Sequence, residues 1–295
     1  MAAEARLASF RLDLTHADTY TPVLPMSDGQ DTPRPVSPAE VYESFFLPAL
    51  FQAWAPRAAD AAHLQPGHRV LDVACGTGVF AREALQRVGP QGTVVGLDPE
   101  PGMLRVARQK APQVKWVEGL AEALPFEDEH FEAVVSQFGL MFFGDQPGAL
   151  REMQRVLRPG GRLVVTVWDA LERTPGYAAL AAFVERVFDP AVAASLQAPY
   201  ALGDPQTLLA LFAEAGVTGA QLATHHGTAR FPSVRAWLYT WVHSNAKGKT
   251  AAHLIDDDGF ERLVAEAERA LRPFVSATGT VSFSTPAHLV TAVKR

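Results

Sequence analysis

The chain has 295 residues, 48% of them apolar, and a net charge of −6 from 26 Lys and Arg against 32 Asp and Glu. That length fits one domain with elaborations, and an acidic balance without a Lys/Arg block argues against a nucleic-acid substrate, which calls for a basic footprint. The single cysteine, Cys75, excludes an internal disulfide; no Cys/His cluster has metal-ligand spacing, so no metal is expected, and no apolar run approaches the ~18–20 residues of a membrane span.

Residues 1–36 form a polar extension broken by Pro22, Pro25, Pro33 and Pro35, which resists regular structure. It lacks a basic stretch followed by an apolar one, so no secretory signal is expected and a cytoplasmic location is. Ser37 caps, and Pro38 opens, a helix running to about His63, with Val41, Phe45, Phe46, Ala49, Leu50, Ala53 and Trp54 at helical spacing.

Val70 to Val73 reads as a buried strand, Asp72 to Gly78 as a glycine turn opened by an acid, and Val79 onward as a helix. Such a unit sets backbone N–H groups and a helix N-terminus at the carboxyl edge of a parallel sheet. A dinucleotide fingerprint would need glycines at 74, 76 and 79; the chain has Ala74, Gly76 and Val79. Thr93 to Asp98 is a second strand ending in an acid, followed by a helical stretch from Pro99 to Ala107. A carboxylate at that place can accept ribose hydroxyls, or cap the helix that follows. Next come Val117-Glu118-Gly119-Leu120-Ala121-Glu122-Ala123-Leu124-Pro125-Phe126, a fourth strand at Phe131 to Leu140, and a helix from Leu150. The turn Arg158-Pro159-Gly160-Gly161 leads into a fifth strand, Leu163 to Trp168.

Beyond it, a helix is expected around Tyr177 to Phe188, and Gly203-Asp204-Pro205 opens another that Gly216 stops. Strand six is expected at about Val217 to Ala229, two helices at Ser233 to Asn245 and Phe260 to Leu271, and strand seven at Thr280 to Val293. The domain reading is an extension (1–36), a core with its covering helix (37–169), a cap segment (170–202), a core helix and strand six (203–230), a helical cap insertion (231–276) and a final strand (277–295).

The run Asp72-Val73-Ala74-Cys75-Gly76-Thr77-Gly78 resembles motif I of the class I S-adenosylmethionine methyltransferases. Leu120-Ala121-Glu122-Ala123-Leu124-Pro125-Phe126 resembles their adenine-wrapping segment, with Leu120 where an Asp is usual, and Glu152 to Gly161 resembles their E-x-x-R-V-L-K-P-G-G signature. The order and spacing resemble the small-molecule type, in the ubiquinone/menaquinone-biosynthesis group. The resemblance implies an α/β fold: a doubly wound, seven-stranded, mostly parallel sheet with its last strand antiparallel and helical cap insertions over the cofactor edge. It implies S-adenosylmethionine as cofactor, released as S-adenosylhomocysteine. The cofactor residues it implies are Asp72, Ala74, Gly76, Thr77, Gly78, Asp98, Pro99, Met103, Leu120, Ala121, Glu122, Gln137 and Phe138.

The acceptor pocket is expected under the cap and the covering helix, from Tyr42, Phe46, Met141, Phe142, Trp168, Tyr177, Tyr200, Trp237 and Trp241. This aromatic lining suits a small, largely apolar metabolite methylated on O, N or C. A general base is not obligatory for displacement at a sulfonium; the candidates, should one serve, are His225, His226 and His243. The alternatives are non-methylating chemistry on the same cofactor (decarboxylation or hydroxylation), an NAD-dependent oxidoreductase, and a non-catalytic binding module. A monomer and a homodimer remain equally open. The bias of Arg over Lys and the single Ile255 hint at a GC-rich bacterial genome.

Overall fold

The computed structural model describes residues 37–187, 190–244 and 257–295. Its main sheet comprises β1 (Arg69–Val73), β2 (Thr93–Asp98), β3 (Lys115–Glu118), β4 (Phe131–Gln137), β5 (Leu157–Trp168), β6 (Gln221–His225) and β9 (Ala287–Val293). The order is β3-β2-β1-β4-β5-β9-β6. The pairs β1–β2, β1–β4, β2–β3 and β4–β5 are parallel, and β9 runs antiparallel to both β5 and β6. This is the expected doubly wound sheet. The strand order reverses beside β1, where Asp72 pairs with Gly96 on one side and Val135 on the other. Ligands of such sheets bind in the crevice opened by that reversal.

Alternate side chains of β1 serve opposite layers, as strand geometry dictates. Val70 joins Phe80, Ala84 and Ala58 in one apolar cluster, under α2 (Ala55–Ala61) and α3 (Val79–Val88). Leu71 and Val73 join Leu150, Met153 and Phe212 in another, under α5 (Gln146–Val156) and α8 (Pro205–Glu214). Between β2 and β3 lies α4 (Pro101–Lys110). A third cluster, rich in aromatics, sits over the carboxyl edge. It belongs to α6 (Pro175–Val187), α7 (Pro190–Gln197), α9 (Val234–Ser244) and α10 (Asp257–Leu271), together with a ribbon of β7 (Thr228–Phe231) and β8 (Val281–Ser284).

Several elements differ from the sequence reading. Strand four ends at Gln137, because Phe138 turns left-handed and a 3-10 turn, Leu140–Phe142, follows. The expected turn at Arg158-Pro159-Gly160-Gly161 is drawn into β5. Strand six ends at His225 and strand seven begins only at Ala287; the remaining residues form the β7–β8 ribbon. The break falls where Pro286 has no N–H for a ladder, while Thr285 N–H donates to Gly227 O at 3.0 Å. Paired chains thus leave the main sheet together and bend over its edge, so the cap is not helical alone. The first helix starts as expected, with Ser37 and Glu40 closing a reciprocal capping box before α1 (Pro38–Val41). It then widens into a π-helix, Tyr42–Phe51, that contains Pro48. Proline has no N–H for the usual bond and its ring crowds the preceding turn; a wider turn relieves both. The expected ends at Phe188 and Asn245 lie outside the described residues.

Candidate functional site

The loop after β1 is curled by three left-handed residues, Ala74 (φ 58°), Gly76 (54°) and Gly78 (84°). Gly78 has a second reason to be glycine: a Cβ there would lie 2.3 Å from the Trp116 indole. Ala74 tolerates the same region at a cost of about 1–3 kcal/mol, which the surrounding packing must offset. Two buried acids brace the loop. Asp72 Oδ2 accepts from Ala81 N–H in α3 at 3.0 Å, and Asp98 Oδ2 accepts from Gly76 N–H at 2.8 Å. Asp98 Oδ1 takes the Glu100 N–H at 2.9 Å, while Asp72 Oδ1 is buried with no partner.

Burial pushes the Asp72 carboxyl up to about 8; the neighbouring Asp98 charge adds to the rise, and the Ala81 N–H and Arg82 oppose it. Asp98 is raised by burial too, against the Glu100 and Gly76 N–H groups. The Cys75 thiol, inside the same loop, is raised by burial and by the two acids, which leaves it a packed, inert side chain.

At the end of β4, Phe138 is also left-handed (φ 59°). Its ring stacks on Trp168 of β5 at 3.9 Å and meets Trp54 edge-on at 5.7 Å. Gln137 Nε2 donates to Phe51 O of the π-helix at 3.3 Å, tying roof to floor, and its Oε1 is buried without a partner. Across the opening, Glu122 Oε1 accepts from Gly144 N–H at 2.8 Å, so the loops after β3 and β4 form one rim. Leu120 and Phe142 stand exposed on that rim.

These elements enclose one continuous cavity of about 850 Å³. Of the residues expected at the cofactor, Ala74, Gly76, Asp98, Pro99, Met103, Leu120, Ala121, Glu122, Gln137 and Phe138 line it. Asp72, Thr77 and Gly78 do not; they shape the loop from behind. Of the expected acceptor pocket, Tyr42, Phe46, Phe142, Trp168, Tyr177, Tyr200 and Trp241 line the same cavity. Met141 and Trp237 do not. Trp237 is wholly buried, stacked at 4.5 Å on Phe231 within the cap's own core.

His225 and His226 are exposed and outside the cavity; His226 O accepts from the Arg57 guanidinium at 2.7 Å. The His243 side chain lies outside the described residues. Sequence reasoning missed Glu100, Phe51, Ser195, Leu196 and Pro199, all of which line the cavity. Phe51 falls off an α-helical stripe, whereas the wide turns of a π-helix bring Phe46 and Phe51 to one face.

The cavity divides by charge. Around the ends of β1 to β3 the lining carries Asp98, Glu100 and Glu122, and no described lining residue is Lys, Arg or His. Such an end suits a cationic ligand with hydroxyls and repels a pyrophosphate. S-adenosylmethionine, with its ammonium, sulfonium and ribose, fits this end.

Residues 70–161 match the family model described as a methyltransferase domain. The chain is 43% identical over 119 residues to 2-phytyl-1,4-naphtoquinone methyltransferase of Thermosynechococcus vestitus, a stretch that covers 39% of this chain and 53% of that one. It is 43% identical over 122 residues to the ubiquinone/menaquinone biosynthesis C-methyltransferase of Pasteurella multocida, covering 39% and 46%. The matched stretch spans about half the length of these relatives. Among solved structures, the YcgJ protein of Bacillus subtilis superposes with a TM-score of 0.53 at 22% identity, covering 82% of this chain and 98% of that one. The phosphoethanolamine N-methyltransferase 2 of Haemonchus contortus does so at 0.53 and 18%, covering 87% and 57%. Both share the fold.

Proposed function

We propose that this chain, whose residues 70–161 match the model of a methyltransferase domain, is a class I, S-adenosylmethionine-dependent enzyme that moves a methyl group onto an O, N or C nucleophile of a small, largely apolar metabolite. One observation carries the reading: a single cavity joins an acidic, cation-free end at the glycine loop to an aromatic end under the cap. The sequence relatives that act on quinones support an apolar, ring-bearing acceptor. The acidic overall charge supports a metabolite over a nucleic acid, and no helix among the described residues is long and apolar enough to cross a membrane. A cytoplasmic site of action, in bacterial secondary metabolism, fits both.

Bound S-adenosylmethionine supplies an electrophilic methyl group on a sulfonium that leaves without needing a proton. The chain's own residues do the rest by position. Asp98 would accept the ribose hydroxyls from the end of β2, with Glu100 beside it. Met103 and Leu120 would flank the adenine, and the Ala121 backbone would read its edge. The π-helix lines the cavity through Tyr42, Phe46 and Phe51, an apolar roof that would limit the access of water. Holding nucleophile and methyl carbon in line can supply about 7–11 kcal/mol of barrier reduction without a base. No Asp, Glu, Lys or His among the described residues lines the cap half, so positioning carries the catalysis.

The test has two arms. Titration calorimetry of the full chain with S-adenosylhomocysteine should show one saturable site, and methyl-labelled S-adenosylmethionine should label members of a panel of small phenols, quinols and aryl amines. Failure to bind S-adenosylhomocysteine at millimolar concentration overturns the cofactor assignment. Conversion of the cofactor without a labelled acceptor would favour non-methylating chemistry.

A further inference from the structure

The cap half of the cavity is lined chiefly by carbon: Phe46, Leu50, Trp168, Leu196, Pro199 and Trp241. Among the described lining residues that the cap segments after β5 contribute, three side chains carry oxygen: Ser195, Tyr177 and Tyr200. The Ser195 hydroxyl already donates to Val192 O of its own helix at 2.6 Å. The two tyrosines come from different cap elements, α6 and the turn after α7, and their ring centroids lie 6.0 Å apart. Tyr177 is fixed from behind by Trp237 at 5.0 Å and Phe283 at 5.7 Å, so its phenol has little freedom to swing away.

We propose that Tyr177 and Tyr200 are the specificity-determining pair of the cap, hydrogen-bonding one uncharged oxygen of the acceptor, and that the cavity turns away acceptors bearing a carboxylate or phosphate. Two arguments converge. The Tyr177 hydroxyl accepts from the Trp237 indole, which leaves its O–H to donate, and with Tyr200 beside it an acceptor oxygen gains hydrogen bonds that a hydrocarbon lacking the oxygen cannot make. An anion entering this half would meet no described cation and would face the three carboxylates at the other end. Burial pushes both phenols well above their ordinary range, so they stay neutral donors and acceptors across the working pH and serve in recognition, not as bases.

This inference rests on the reading of the cavity as a methyl-transfer site, and its test separates the two. The full chain, saturated with S-adenosylhomocysteine, is titrated calorimetrically with three bicyclic probes of one ring skeleton: 2-naphthol, 2-naphthoate and 2-methylnaphthalene. We expect 2-naphthol to bind at least about tenfold more tightly than 2-naphthoate. The variant Tyr177→Phe/Tyr200→Phe should weaken 2-naphthol about three- to tenfold and leave 2-methylnaphthalene unchanged. Equal binding of naphthol and naphthoate, or a naphthol-to-methylnaphthalene ratio untouched by the double substitution, overturns the proposal. An unchanged melting temperature and S-adenosylhomocysteine affinity show that the variant is folded; if it is not, each single Phe substitution is titrated in its place. Should the chain fail to bind S-adenosylhomocysteine, the methyl-transfer reading falls, while the same probes titrated alone still decide the selectivity of the phenol pair.

Discussion

His288 Nε2 lies 3.2 Å from Asp169 Oδ1, and both side chains are almost completely buried. The same Nε2 is 2.9 Å from Gly203 O, and Nδ1 is 2.9 Å from the Thr224 hydroxyl. Nε2 thus faces two acceptors, and a proton there bonds to both. Asp169 and Gly203 are the two ends of the excursion that carries α6 and α7, and one imidazole of β9 holds both to the sheet. A Cβ on Gly203 would lie 2.3 Å from Ala170 N, so the two ends touch.

Replacing this imidazole should loosen the cap from its base. His288→Leu leaves a buried carbonyl and a buried carboxylate short of a partner, and about 2–4 kcal/mol of stability should be lost. Urea unfolding measures it; an unchanged midpoint would show that the contact is incidental. Gly203→Ala should destabilise in the same assay by forcing Ala170 aside.

Burial keeps Asp72 protonated up to about pH 8, whereas in the unfolded chain it ionises near pH 4. Between those values the folded state binds the extra proton, so the residue's stabilising contribution is complete below about pH 4 and is lost as pH rises through 8. The melting temperature of the unliganded chain should therefore fall from pH 5 to pH 8, and fall less in Asp72→Asn. Parallel slopes for the two proteins would refute this.

Asp98 is buried, accepts two backbone N–H groups and lines the cavity. Asp98→Asn should weaken S-adenosylhomocysteine binding by about 10- to 100-fold, the range for hydrogen bonds to a charged group. Calorimetry decides; a loss below about threefold would remove Asp98 from the ribose.

Leu120 stands on the rim, 58% exposed, where the resembling family has an acid. Its exposure makes Leu120→Asp nearly neutral for stability, within about 0.5 kcal/mol. The new carboxylate should tighten S-adenosylhomocysteine binding by about three- to tenfold if this rim faces the adenine amino group. Weaker binding would place the adenine elsewhere.

His225→Ala and His226→Ala should leave turnover within about twofold of the parent, as expected of exposed side chains outside the cavity. A larger loss in either, at constant S-adenosylhomocysteine affinity, would bring that histidine back as a base.

The central fold was legible because its signals are local. Val70 to Val73, the curled glycine loop, and the acids at 72 and 98 are strand, turn and strand-end features readable within a few residues of each other. These local units point to a parallel sheet with a ligand edge; the seven-stranded arrangement came from the family resemblance, and the observed order β3-β2-β1-β4-β5-β9-β6 agrees with it. The covering helix was legible as a helix but not as a π-helix, because Pro48 acts through crowding that periodicity does not register.

The partners that decide the cavity stand far apart in sequence. Phe138 meets Trp168, Tyr177 meets Tyr200 across two cap elements, and His288 reaches 85 residues back to Gly203. From sequence alone, Trp237 and Trp241 looked alike; one turn of helix apart, the first packs into the cap core and the second faces the cavity. The amino-acid sequence by itself determined the strand–loop–helix units, the glycine loop opened by an acid and the strand-end carboxylate at Asp98, since each follows from short-range pattern. Only the tertiary structure decided which aromatics form a wall and which phenols line the cavity, because that choice depends on how separate helices pack over the sheet edge, a long-range balance no local window contains.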